Sequence, residues 1–282
     1  MSTQKFSFEF FPPKTEKGIK NLKAVREELA TLNPAFFSVT YGAGGTTQEA
    51  TLETVINIQK ESGIDTAPHL SCIGSSKEQI RDILHTYKSN GVTRIVALRG
   101  DIPSGMQDIG DFHYANELVD FIRQETGDYF HLEVAAYPEK HPQAVSYETD
   151  LKNFARKIQA GSNSAITQYF YNIDAYYYFV DDCRKLGINA PIVPGIMPIT
   201  NFTNLARFSD ACGAEIPRWL RTRLEGYGDD LDSIQKLGTE FVTQMCAKLL
   251  AQDIAGLHFY TMNRVEPSMT IWKNLGLESC TK

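Results

Sequence analysis

The sequence predicts an α/β protein, a single (β/α)8 barrel of the TIM type over residues 1–282, and three observations carry that prediction. Short β-branched or aromatic runs alternate with longer amphipathic segments along the whole chain, as parallel strands joined by crossover helices require. Eight such units follow one another without a linker, low-complexity run or short repeat, which suits a closed barrel better than an open doubly wound sheet. Polar residues also gather just past the strand ends, where barrels keep their active sites.

The first strand is expected over 6–11, Phe-Ser-Phe-Glu-Phe-Phe, ahead of Pro12 and Pro13. Alternation puts Phe6, Phe8 and Phe10 on one face and Ser7, Glu9 and Phe11 on the other, so a carboxylate points into whatever the second face lines. Desolvation there would raise its pKa and make Glu9 a proton donor near neutral pH; a buried Arg or Lys partner is the alternative. The second strand, 36–41, ends in Thr40-Tyr41 and runs into Gly42-Ala43-Gly44-Gly45. A dinucleotide-binding G-x-G-x-x-G loop needs glycine at position 47, which is Thr47, so these glycines read as a sharp turn with Thr46 or Thr47 capping the next helix.

Strand three, 66–72, carries Pro68 and His69. Strand four, 94–98, delivers Arg99-Gly100-Asp101, which combines a cation, a glycine that lets a ligand approach the backbone, and a carboxylate; a turn closed by an Arg–Asp pair is the plainer reading. Strand five, 132–137, leads into Tyr137-Pro138-Glu139, with His141 beyond. In the following helix Asp150, Asn153, Arg156 and Lys157 fall at i, i+3, i+6 and i+7, a polar stripe that suits solvent or a phosphate-bearing cofactor. Strand six, 165–170, contains Gln168. After strand seven, 192–196, comes a long connection, 197–229, whose Pro198, Pro217 and Gly226 predict one short extra helix and a lid-like loop. The helix over 231–250 repeats Ile234, Leu237, Phe241, Met245 and Leu249 at spacings of three or four, and strand eight, 256–261, ends in a segment containing Tyr260 and Arg264.

Composition narrows the chemistry. With 42% hydrophobic and 22% charged residues the chain is of ordinary globular type, and a net charge of -6 disfavours nucleic acid as a partner. The start lacks a basic segment followed by an apolar core, and no apolar run is long enough to span a bilayer, so a cytoplasmic location is expected. Five cysteines at wide spacings contain no C-x-x-C pair, and the histidines have no ligand-spaced partners, so neither a disulfide framework nor a metal site is expected. There is no G-x-S-x-G elbow. Acid–base chemistry on a bound organic ligand or cofactor is what remains, with a Schiff-base lyase using Lys157, or a barrel that only carries its ligand, as the other readings.

Six motifs go further: Phe8-Glu9-Phe10-Phe11-Pro12-Pro13, Ser38-Val39-Thr40-Tyr41-Gly42-Ala43, Ala67-Pro68-His69-Leu70, Ala97-Leu98-Arg99-Gly100-Asp101, Ala135-Ala136-Tyr137-Pro138-Glu139 and His258-Phe259-Tyr260-Thr261-Met262-Asn263-Arg264. In this order they resemble the 5,10-methylenetetrahydrofolate reductase family, in its bacterial type. The resemblance implies a (β/α)8 barrel that binds FAD without a Rossmann loop, takes hydride from NADH, and passes it to methylenetetrahydrofolate to give 5-methyltetrahydrofolate, in a ping-pong sequence. It implies a cytoplasmic homo-oligomer, a dimer or tetramer. Glu9 matches the family's general acid, and Asp101 an aspartate whose charge acts beside flavin and folate. Thr40, His69, Arg99, Gly100, Asp101, Tyr137 and His141 match FAD contacts, and Asp150, Asn153, Arg156 and Lys157 match the residues at its ribose and diphosphate. Gln168, Tyr260 and Arg264 resemble folate-site residues, and Phe202 an aromatic on which substrate rings stack. Ser162 stands where relatives commonly carry alanine, which bears on flavin retention. The chain stops at Lys282, so no regulatory domain, and no inhibition by S-adenosylmethionine, is expected.

Overall fold

The first strand obeys its alternation. In the computed structural model, which describes residues 4–41, 46–102, 105 and 108–277, β1 (Lys5–Phe10) buries Phe8 and Phe10 completely on its outer face. Phe8 stacks on Phe259 with centroids 5.5 Å apart, Phe10 meets Phe37 at 5.2 Å, and Phe6 meets Trp272 edge-on at 4.7 Å. This aromatic layer glues the strands to the helices around them. The opposite face of β1 turns into the barrel.

The remaining strands are β2 (Phe36–Val39), β3 (Thr66–Ser71), β4 (Arg94–Leu98), β5 (His131–Ala136), β6 (Ser164–Thr167), β7 (Ile192–Val193), β8 (Gly195–Ile196) and β9 (Gly256–Tyr260). All pair in parallel, in the order β7-β6-β5-β4-β3-β2-β1-β9-β8. The count exceeds eight because the expected seventh strand is broken at Pro194. Proline has no N–H to donate to a ladder, and the two short pieces on either side of it bond to different neighbours, β7 to β6 and β8 to β9. The broken strand therefore joins the two ends of the sheet and closes the ring.

Helices α1 (Glu16–Ala30), α2 (Thr46–Ser62), α3 (Lys77–Ser89), α4 (Ala115–Thr126), α5 (Tyr147–Gln159) and α6 (Ile173–Lys185) cover the outside in turn, as do α9 (Leu231–Leu250) and α10 (Ser268–Asn274). The glycine turn expected at 42–45 and the side chains of Thr46 and Thr47 lie outside the described residues. The connection over 197–229 departs from expectation: it forms two helices, α7 (Phe202–Cys212) and α8 (Arg218–Gly226), and no lid-like loop. Asn201 starts α7 by accepting a hydrogen bond from the Asn204 amide at 2.8 Å, and Gly213, in the left-handed region at φ 76°, ends it. Pro217 then sits at the start of α8, where its missing N–H costs nothing. Leu205, Leu220 and Leu224 anchor both helices in the core.

Inside the ring, Phe36, Ala67, Val96 and Ile166 form a small apolar layer. At the amino-terminal end of the strands lies a buried polar floor. Arg94 bonds Glu133 at 2.6 Å and Asp65 at 3.3 Å, and its guanidinium lies 4.5 Å from the centre of the Phe36 ring. Glu133 also contacts His131 at 3.2 Å and accepts a hydrogen bond from Ser164 at 2.5 Å. Burial alone would favour the neutral acid, but His131, Arg94 and Ser164 outweigh it and hold the Glu133 carboxyl below its usual range. Its stabilising effect is present above the unfolded carboxyl pKa and is lost as pH falls through the lowered folded one. Glu133→Ala would leave Arg94 facing the interior without its closest partner. We expect a loss of about 3 kcal/mol, read from the urea midpoint at neutral pH.

Candidate active site

At the carboxyl ends of the strands the inner face of β1 presents Glu9, with Ser7 one layer below. In register, Ser7 lies opposite His258 and Glu9 opposite Tyr260. His258 is completely buried: its Nδ1 is 2.7 Å from Ser7 Oγ, while its Nε2 is 3.4 Å from Ser38 Oγ and 3.6 Å from Glu9 Oε2. From β3, His69 Nε2 reaches the same carboxylate oxygen at 3.2 Å. Burial is the largest influence on Glu9 and would raise its pKa, yet the two imidazoles together reverse it and bring the group down to about 2. The expected proton donor is therefore an anion held between imidazoles. The sequence reading had the direction of the shift wrong because the histidines come from β3 and β9, far along the chain, and only barrel closure brings them to Glu9.

Tyr260 continues the same inward face. Its hydroxyl donates to the Thr167 carbonyl at 2.7 Å, which commits it, and its ring stands edge-on to His258 at 5.4 Å. Burial lifts the phenol well above its ordinary value, with Glu9, Tyr137 and Tyr169 adding to the effect, so Tyr260 stands between Glu9 and a second group of residues. A Cβ on Gly195 would come within 2.7 Å of this ring, so the broken seventh strand makes room for it. Gln168 is half-buried beside Tyr260's partner strand, its side-chain oxygen accepting from the Tyr169 amide at 3.0 Å.

The second group centres on His141. Tyr137 and His141 meet edge to face at 4.5 Å. The His141 Nδ1 accepts from the Gln143 amide at 3.1 Å, which fixes the neutral form. Burial lowers the His141 pKa; Arg99 and Lys157 push the same way, while Asp150 and Asp101 oppose them. Four charged residues predicted from two motifs thus act on one imidazole. Arg99 is held by the Gly100 carbonyl at 3.0 Å and by Gln143 at 2.5 Å. Asp101 is exposed and makes no ion pair with Arg99, so the turn-closing pair is not formed. Gly100 has φ 87°, and a Cβ there would fall 1.9 Å from Ser71 Oγ, so this glycine is needed by the neighbouring strand whether or not a ligand approaches. Thr40 is half-buried at the end of β2, its carbonyl taking a hydrogen bond from Thr51.

The α5 stripe divides. Asp150 accepts from the His141 amide at 2.8 Å, and Lys157 points inward, donating to the Ala135 carbonyl at 2.5 Å. Burial lowers the Lys157 amine to about 8 despite Asp150 nearby. Arg156 bonds Asn153 at 2.9 Å on the exposed side. An amine buried against a strand carbonyl is poorly placed for a Schiff base. Among the described residues neither Arg99 nor Lys157 makes a salt bridge to a carboxylate, so the site offers two cations to an anion; this fits a diphosphate with its ribose toward Asp150 and Asn153. Two further predicted ligand contacts have neighbours of their own. Phe202 opens α7, with Arg221 5.8 Å from its ring centre, and Arg264 lines a groove of about 740 Å³ between α1 and the loop after β9, with Phe11 and Met262. Among the described residues no cluster of His, Cys, Asp or Glu could hold a metal ion, and no helix is long and apolar enough to cross a membrane.

His258, Ser7 and Ser38 were not singled out as site residues. The signal was available in part: Ser7 shares a face with Glu9, and His258 is two residues before Tyr260, so alternation puts it on the same inner face.

A closed barrel with a carboxylate between imidazoles on its inner face and, among the described residues, two cations without carboxylate partners at its rim has the means for acid–base chemistry and for meeting an anion. Comparison with known proteins is more specific. The model of the family described as methylenetetrahydrofolate reductase matches residues 1–276, and the chain belongs to that family. It is 42% identical to "Methylenetetrahydrofolate reductase (NADH) 1" of Arabidopsis thaliana, over 96% of this chain and 48% of that protein. It is 40% identical to "5,10-methylenetetrahydrofolate reductase" of Escherichia coli strain K12, over 96% of this chain and 90% of that one. The chain thus spans about half the length of the plant relatives and most of the bacterial one. Among solved structures it resembles an uncharacterized protein from Clostridium thermocellum that binds two copies of 5-methyl-5,6,7,8-tetrahydrofolic acid, with a TM-score of 0.67 and 17% identity over 99% of this chain and 95% of that one. At that identity the likeness concerns the fold.

Ser162, the departure noted in the sequence, is buried and donates its hydroxyl to the Lys157 carbonyl at 2.7 Å. It ties off the end of α5 below the inward-pointing lysine. Ser162→Ala should cost about 1 kcal/mol in urea unfolding and leave the fold intact.

Proposed function

We propose that the protein is a flavin-dependent methylenetetrahydrofolate reductase, with NADH as electron donor. The observation that carries this reading is the pairing of a carboxylate inside the barrel with a rim of uncompensated cations, in a chain of this family. FAD, when bound, supplies storage of a hydride between two substrates that need never meet. Arg99 and Lys157 would hold its diphosphate, Asp150 and Asn153 its ribose, and Tyr137 and His141 would lie against it. Asp101, exposed and without an ion-pair partner among the described residues, can set a negative charge against a cation developing on the folate. NADH as donor accords with the name of the plant relative.

Glu9 would donate the proton that opens the five-membered ring of the folate. For this the carboxylate must first gain one. His69 is the strongest single attraction holding Glu9 ionised, so a ligand that engages His69 lets burial prevail and raises the Glu9 pKa. His258 holds its place through Ser7 and keeps an imidazole edge facing the acid, where a proton can pass between them.

Two outcomes test this. Glu9→Gln, loaded with FAD, should bleach with NADH at close to the native rate under anaerobic conditions. Its reoxidation by methylenetetrahydrofolate should slow at least about a hundredfold. Loss of both half-reactions in a folded, flavin-loaded variant would sink the assignment. Lys157→Met should weaken FAD binding about tenfold or more in a fluorescence titration.

A further inference from the structure

Glu139 has no part in the chemistry above, yet its surroundings are unusual. It lies two residues past Tyr137, in the loop between β5 and α5. Its Oε2 accepts a hydrogen bond at 2.9 Å from the amide of Glu215, in the turn between α7 and α8. Its Oε1 is sealed from solvent and has no hydrogen-bond partner among the described residues. The same turn presses on the same loop a second time: a Cβ on Gly213 would stand 3.2 Å from both the Lys140 carbonyl and the Pro142 ring. Ser209 of α7 meets the Tyr169 hydroxyl at 3.1 Å. At the other end, Ile199 is packed so closely on α9 that a Cβ on Gly238 would lie 2.6 Å from it. The root of α7 is fixed there by apolar contact, whereas its far end is held both by the buried Ala214 and Ile216 and by the polar groups around Glu139.

We propose that Glu139 is a positioning residue that docks the far end of α7 onto the loop carrying Tyr137 and His141, and that docking takes up a proton. A carboxylate with one oxygen buried and unsatisfied is costly, and protonation removes the charge while the other oxygen keeps the Glu215 amide. The titratable groups that face it are the Glu215 carboxylate, on the turn, and Tyr169, past β6, which lies beside Cys212 of α7. Burial raises the Glu139 pKa to about 7, and the Glu215 carboxylate adds to the rise, while the hydrogen bond from its amide opposes it. The sign follows from a docked value above the free one of 4.5. Docking is strongest below that free value, weakens as pH rises to about 7, and is level above it.

Hydrogen exchange over residues 202–217, corrected for intrinsic rates, measures docking directly in the whole protein without folate or NADH. Between pH 6 and pH 8 the ratio of docked to undocked forms should fall about tenfold. Glu139→Gln, which keeps an acceptor for the Glu215 amide but cannot ionise, should abolish the pH dependence. Glu215→Gln, which keeps the amide and removes the neighbouring charge, should move the transition to lower pH. A native-like profile in a folded Glu139→Gln overturns the proposal; if that variant does not fold, an unmoved transition in Glu215→Gln overturns it. The link to catalysis rests on the reductase reading: methylenetetrahydrofolate KM should rise with the undocking of α7. Exchange that titrates as stated while KM does not would count against the link to catalysis, and leave the latch standing.

Discussion

Closing eight parallel strands into a ring sends every second side chain into a space that its neighbours seal from water, and each polar group placed there must find its partner inside. The rest of this molecule follows from that constraint. At the floor, Arg94, Glu133, Asp65, His131 and Ser164 answer one another. Above the apolar layer, Ser7, His258, Ser38, Glu9 and His69 do the same. The two groups differ in a way that bears on their uses. The floor has a permanent cation and several satisfied contacts, so it is a fixed structural knot. The upper group has no permanent cation, and among the described residues His69 Nε2 makes no well-formed hydrogen bond although Glu9 is near. Such an arrangement can be rebuilt when a ligand arrives.

The barrel was legible because its evidence is local. Alternation in 6–11 set the two faces of β1, and the β-branched and aromatic runs marked each later strand to within a few residues. The break at Pro194 was not foreseen, although proline's missing donor could have suggested it. What alternation cannot show is which strand of the ring lies across from which at a given level. Glu9 was recognised as a charge in need of a reason, but His69 and His258 belong to other strands, so the reason and the sign of its pKa shift stayed hidden. The 197–229 connection was misjudged for a different cause. Pro198, Pro217 and Gly226 were read as one short helix and a lid-like loop, whereas Pro217 starts α8 and Gly213, which that reading passed over, ends α7.

The α5 stripe shows how a sequence pattern can be right in spacing and ambiguous in meaning. Four polar residues at helical intervals fit a wet surface as well as a ligand. The structure separates them: exposed Arg156 bonds half-buried Asn153, while Asp150 and Lys157 turn toward the loop after β5 and the strand itself. Lysine buried against a carbonyl has given up solvation without gaining a carboxylate. Helices rarely tolerate that unless something else offsets it, and a bound anion is the natural candidate in a family whose members act on folates.

The pairing of β1 with β9 also has a consequence for how the protein is made. Glu9 leaves the ribosome long before the strand that carries His258, which comes far later in the chain. Until then β1 has β2 on one side and an open edge on the other, and its inward carboxylate lacks one of its two imidazoles. A nascent chain halted anywhere before β9 therefore holds an incomplete acid beside an unpaired strand edge, the kind of surface on which chaperones act and aggregates begin. Chemical competence and protection from misassembly arrive together, with the closing of the same seam.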